Sequence, residues 1–112
     1  PTYAATDGVD GRVSIEVGPG LAHDTEGTVA EAAELWRTVG EPNLFIKIPG
    51  TPEGLPAIEE AIHRGVPVNV TLLFSEADYR AAADAYAEQN ERDYAALADP
   101  VASGRLRADQ SL

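Results

Sequence analysis

Cysteine is absent from the 112-residue chain, basic residues number only eight, and no apolar run approaches the roughly 20 residues that a bilayer-spanning helix needs. Each shortage excludes something. Without cysteine there is no disulfide framework and no thiolate metal site, and a cytoplasmic setting is the expectation. Eight Lys and Arg against nineteen Asp and Glu give a formal net charge of -11. Such a surface repels nucleic acid and anionic lipid, so neither is expected as a partner. The N-terminus lacks the basic-then-apolar pattern of a signal peptide. It begins at Pro1 rather than methionine, as expected of a processed chain or of part of a larger one. His23 and His63 show no HxH or HxxxH spacing, so no metal site is expected. Gly18-Pro19-Gly20 and the stretch from Gly50 to Gly54 lack both the Walker lysine and the dinucleotide fingerprint, and read as turns.

What is present suits one globular domain over residues 1–112: 44% hydrophobic and 24% charged residues, in a chain too short for two domains. Asp7-Gly8 and Asp10-Gly11 mark residues 1–11 as a loop. Arg12 to Val17 then alternates, with Val13, Ile15 and Val17 on one face of a strand and Ser14 and Glu16 on the other. Asp24 or Thr25 is placed to cap a helix that carries Val29, Ala32, Ala33, Trp36 and Val39 inward and ends at Gly40. A second helix is expected from Thr51 as N-cap and Pro52 as its first residue, with Leu55, Ile58, Ala61 and Ile62 buried, up to Gly65. A third strand follows at Val68 to Leu72 or Leu73. Ser75 and Asp78 resemble a capping box for a helix whose Tyr79, Ala82, Ala83 and Tyr86 repeat at packing spacing to about Gln89. Asn90 to Ala98, with Tyr94, reads as a separate short helix, and residues 99–112 as a flexible tail.

Between the first two helices lies the segment with chemical content. Leu44-Phe45-Ile46-Lys47-Ile48 is too short for a helix and is bounded by Asn43 and Pro49-Gly50, which is how a strand covered on both faces looks. Ile46 and Ile48 share one face. Phe45 and Lys47 share the other, so helices covering the isoleucines turn Lys47 inward. Burial penalises an ammonium and can lower a lysine's pKa by up to ~3–5 units. The resulting neutral amine is a nucleophile that condenses with carbonyl compounds. Alone, the segment reads first as a gatekeeper lysine at a sheet edge, or one that snorkels to solvent, since lysines are rarely buried.

The neighbouring strands tip the balance. The order β-α-β-α-β-α with short connections implies parallel strands with right-handed crossovers, each strand having one aliphatic face and one face with polar residues. That asymmetry points to an α/β fold, part of a TIM-type (β/α)8 barrel with three parallel β-α units and a short C-terminal helix. Glu16, Lys47, Asn69 and Thr71 then meet on the lumen face. An acid/base carboxylate next to an amine is what imine chemistry requires. The two also oppose each other, since an ionised Glu16 favours the ammonium while desolvation favours the amine.

These residues resemble transaldolase. The resemblance rests on Ser14-Ile15-Glu16-Val17, on His23-Asp24-Thr25-Glu26, on the run from Asn43 to Pro49 with Thr51 and Gly54-Leu55, and on Val68-Asn69-Val70-Thr71-Leu72-Leu73-Phe74-Ser75. It runs over residues 10–90. It implies a class I aldolase-type barrel that moves a dihydroxyacetone unit from a ketose phosphate to an aldose phosphate in the pentose phosphate pathway, without metal or organic cofactor. By the same resemblance Lys47 is the Schiff-base lysine, and Glu16 is the glutamate that shuttles protons through a water. Asn69 holds the dihydroxyacetone hydroxyls and Thr71 helps position the catalytic water. The family's first-strand aspartate and its phosphate-binding serine and arginines have no counterparts in residues 1–112, and Gly18 and Gly50 stand where aspartate and alanine are expected. A non-catalytic barrel segment acting as a binding or assembly module is the alternative, and an aldolase acting on free dihydroxyacetone a third. Three parallel strands leave two open edges, so self-association or a complementary chain is expected in every case.

Overall fold

Three parallel strands, β1 (Val13–Glu16), β2 (Leu44–Pro49) and β3 (Val68–Thr71), lie side by side in chain order in the computed structural model, which describes residues 2–102. Helices α2 (Thr25–Val39), α3 (Gly54–His63) and α4 (Glu76–Ala102) connect and follow them. The arrangement is that of a partial TIM-type barrel, with an open sheet whose outer strands are β1 and β3. No helix among the described residues is long and apolar enough to cross a membrane.

The aliphatic face of β2 forms the centre of the core. Leu44, Ile46 and Ile48 are fully buried and pack with Val17, Ala32, Ile58, Ala61 and Val66. Both α2 and α3 lie over this face, and α4 packs on α3, where Arg92 also pairs with Glu59. By register Val13 and Ile15 sit beside Leu44 and Ile46. They nonetheless stay 53% and 37% exposed, because the helical cover is centred on β2 and leaves the edge strand open.

Local chemistry explains the boundaries. Asp24 caps α2 by accepting from the Gly27 N–H at 2.9 Å, and Gly40 ends it with φ +64, a left-handed conformation that glycine adopts without strain. The buried side of α2 is rotated from the expected stripe: Thr28 and Ala32 are buried, Leu35 and Trp36 pack on the core, and Val39 is exposed. Thr28 is admitted because its hydroxyl donates to the Leu21 carbonyl at 3.0 Å.

Five expectations are corrected. Residues 1–11 are not wholly loop, since α1 (Thr2–Ala5) precedes the Asp7-Gly8 turn, where both φ angles are positive. Regular helix begins at Gly54, not at Pro52, because residues 51–53 wind into a tight turn closed by Gly54 N–H to the Thr51 carbonyl at 2.9 Å. The Thr51 hydroxyl still accepts from Gly54 N–H at 3.0 Å, as a cap does. The last two helices are one, α4, running through Asn90; asparagine costs a helix interior only about 0.7 kcal/mol or less and does not break it. Tyr79 and Tyr86 face solvent while Ala82 is the buried residue of that stretch, and the side chain of Tyr94 lies outside the described residues. Of the expected tail, residues 99–102 belong to α4 and residues 103–112 lie outside the described residues.

Candidate active site

Strand pairing brings the four polar residues together. Glu16 is the direct neighbour of Lys47, and Lys47 of Asn69, while Thr71 pairs with Pro49 one step further on. Because side chains alternate, all four leave the sheet on the face opposite the helices. Lys47 Nζ lies 3.7 Å from Glu16 Oε2. Thr71 Oγ1 donates to the other Glu16 oxygen at 3.2 Å, and Asn69 Nδ2 donates to Ser14 Oγ at 3.4 Å. One carboxylate thus bridges an amine on β2 and a hydroxyl on β3.

The walled-in Lys47 expected from the sequence is corrected by the structure. Its side chain is 34% exposed and that of Glu16 is 45% exposed, because the helices cover only the opposite face of the sheet. An ion pair so placed adds at most about 1 kcal/mol to stability. Its interest is chemical: a hydrogen-bonded carboxylate stands one short step, or one water, from a primary amine.

The N-terminal end of this face is closed by cation–π stacking. The Arg12 guanidinium lies 5.5 Å from the Tyr3 ring and 5.2 Å from the Phe45 ring, and donates to the Gly8 carbonyl at 2.9 Å. At the other end, Gly50 N–H donates to the Thr71 carbonyl at 2.8 Å. Leu72 then takes φ +59, a costly conformation for a branched side chain that sends the chain off the sheet immediately after Thr71. A Cβ at Gly50 would lie 2.6 Å from Leu73 Cδ2.

Loops at this mouth are tied to each other. Thr51 Oγ1 donates to the Ala22 carbonyl at 2.6 Å, Thr25 Oγ1 donates to the Glu53 carbonyl at 2.7 Å, and His23 Nδ1 lies 3.1 Å from Glu53 Oε2. The hydrogen bond with His23 holds the Glu53 carboxyl below the usual carboxylate range. Among these residues sequence reasoning missed Ser14 as a partner of Asn69 and the whole loop contact. Alternation along β1 already placed Ser14 beside Glu16. Nothing local to Thr51 signals a partner 29 residues away.

Comparison with known proteins agrees with the residue pattern. The family model described as "Transaldolase/Fructose-6-phosphate aldolase" matches residues 2–103. The chain is 61% identical over 92 residues to a transaldolase of Acidothermus cellulolyticus, covering 82% of this chain and 25% of that protein. It is 58% identical over 103 residues to one of Thermobifida fusca, covering 87% and 28%, and 59% identical over 90 residues to one of Mycolicibacterium smegmatis, covering 80% and 24%. The chain therefore spans about a quarter of the length of the curated relatives it matches.

Proposed function

Since the chain belongs to the transaldolase/fructose-6-phosphate aldolase family, we propose that it carries the imine-forming part of a transaldolase site, which passes a dihydroxyacetone unit from a ketose phosphate to an aldose phosphate. The observation that carries this reading is the Lys47–Glu16–Thr71 chain of contacts, 3.7 and 3.2 Å, on one face of the sheet. Lys47 in its neutral form attacks the ketone carbon to give a carbinolamine. Glu16, through a water, delivers the proton with which the hydroxyl departs, leaving a protonated imine. The imine nitrogen draws the electron pair of the carbon–carbon bond one carbon removed from the imine carbon as that bond breaks, the hydroxyl on the departing carbon gives its proton to water, and the aldose fragment leaves as an aldehyde. The three-carbon enamine that remains on Lys47 adds to the acceptor aldehyde, and hydrolysis frees the amine.

Thr71 orients the Glu16 carboxylate, which leaves the second carboxylate oxygen directed at Lys47. Asn69 stands on the far side of Lys47 in register, placed to bind the hydroxyls of the three-carbon unit. Together these support Lys47 and Glu16 as catalytic and Asn69 and Thr71 as substrate- and water-positioning residues; the setting proposed with them, from the family resemblance, is a cytoplasmic enzyme of the pentose phosphate pathway. Cleavage to free dihydroxyacetone is distinguished by comparing aldol cleavage with transfer to erythrose 4-phosphate.

One observation favours a second reading. With the Lys47 side chain 34% exposed, water reaches the amine, and a barrel segment that assembles with other polypeptide without catalysis fits that exposure. Borohydride trapping with a ketose phosphate separates the two. A mass gain located at Lys47 supports the enzyme; a folded sample with no gain supports the module.

A further inference from the structure

We propose that Thr51 is a positioning residue for the Lys47–Glu16 pair, acting as a clip between the two strand ends that carry them; this rests on the imine reading above. β1 and β2 share a short ladder whose last bond is Val17 N–H to the Lys47 carbonyl at 3.1 Å. Past it the chain after β1 leaves the sheet while β2 runs on to Pro49 beside β3 before turning at Gly50, so no further ladder bond holds the two chains together beyond Glu16 and Lys47.

Two side chains clip this ladder, one beyond each end. At the N-terminal end Asn43 Nδ2 donates to the Gly11 carbonyl at 2.9 Å. At the C-terminal end Thr51 Oγ1 donates to the Ala22 carbonyl at 2.6 Å. The Thr51 hydroxyl also accepts from Gly54 N–H at 3.0 Å, so its single proton is committed to Ala22 and its orientation is fixed. The turn that holds it cannot drift, because Gly54 packs so close to the Pro49 carbonyl that a Cβ there would lie 2.0 Å from the oxygen. The segment after Lys47 is thus locked to its own strand through Gly54 and to the segment after Glu16 through Ala22. Splaying of the two ends is opposed at the level of the reacting groups, where displacement of about 1 Å can cost as much as 10²-fold in rate.

Three variants of the full chain divide the two roles of the hydroxyl. Thr51→Ser keeps both bonds. Thr51→Asp keeps an acceptor for Gly54 N–H, and therefore the start of α3, but its carboxylate has no proton for Ala22. Thr51→Val keeps the shape and loses both. The expected result is that borohydride trapping at Lys47, at saturating ketose phosphate, slows by about tenfold in Thr51→Asp and Thr51→Val while KM stays within twofold, and that Thr51→Ser stays within twofold of the parent. Amide exchange gives a readout without chemistry. Val17 N–H exchanges roughly five- to tenfold faster in the Asp and Val variants, and Val13 N–H, bonded to the Asn43 carbonyl at the far end, does not.

Equal trapping in all variants overturns the proposal, as does faster exchange at Val13 and Val17 alike, which marks general loosening. A Thr51→Ser chain as slow as Thr51→Val overturns it too. If the parent chain forms no adduct, the imine reading fails by itself, and the Val17-against-Val13 comparison still decides whether Thr51 clips the strand ends.

Discussion

Glu16 and Lys47 are register partners on adjacent parallel strands, and the amine of one stands 3.7 Å from a carboxylate oxygen of the other. The backbone ladder, rather than the ion pair, fixes that meeting. Both side chains are a third to a half exposed, and exposed pairs hold little energy of their own.

Lys47→Met therefore leaves the fold intact, with stability within about 1 kcal/mol of the parent. It removes the only amine on this face among the described residues. Trapping with a ketose phosphate and borohydride yields no adduct at position 47, while the circular dichroism spectrum and melting temperature stay close to those of the parent.

Glu16→Gln keeps the shape and an acceptor for the Thr71 hydroxyl but removes the exchangeable carboxyl proton. Imine formation slows by about 10²-fold, the lower range for loss of a general acid/base. Thr71→Val, which leaves Glu16 ionisable but frees it to turn, slows it less, by about tenfold. A Glu16→Gln chain that traps as fast as the parent removes the carboxylate from the mechanism.

Gly50 and Gly54 both reject a Cβ, for different reasons. At Gly50 the obstacle is Leu73 Cδ2 at 2.6 Å, the far end of a flexible side chain. Gly50→Ala costs about 1 kcal/mol, after the gain from a stiffer unfolded chain, and the cost falls in a Leu73→Ala background without disappearing, because Val70 Cγ1 at 3.2 Å and the Thr71 carbonyl at 3.3 Å still crowd the new Cβ. At Gly54 the obstacle is the Pro49 carbonyl at 2.0 Å, which is backbone. Gly54→Ala costs more than about 3 kcal/mol and no side-chain truncation rescues it. Urea titrations of the single and double variants measure both.

The His23–Glu53 contact gives a pH dependence with a defined sign. The carboxyl of Glu53 is held below its ordinary value by the hydrogen bond with His23. Its contribution is therefore present above the free glutamate pKa of about 4.3 and is lost as pH falls through the lowered folded value. In a carboxyl-carbon NMR titration Glu53 titrates below a free glutamate. The His23→Ala chain moves it back toward the ordinary range, the hydrogen bond to backbone that also lowers it being left in place.

Much of this was legible from residue types. A period of two put Glu16, Lys47, Asn69 and Thr71 on the non-aliphatic faces of successive strands, and pairing does bring them together. Asp24 and Gly40 bound α2 as their chemistry predicts. The exposure of Lys47 was not legible, because burial depends on what covers a face, and a strand's own residues do not state it. Asn90 misled for a related reason: its helix preference is too weak to outweigh the residues around it. Thr51 was readable as a cap, and its accepted bond confirms that half; the bond it donates to Ala22 belongs to tertiary structure alone.

Helices stacked against the Leu44–Ile46–Ile48 side armour the sheet on that flank and leave the amine-bearing flank without a roof. Under the imine proposal, water leaves the lysine nitrogen only when something else covers that flank: the bound ketose phosphate, or further polypeptide laid over the strands.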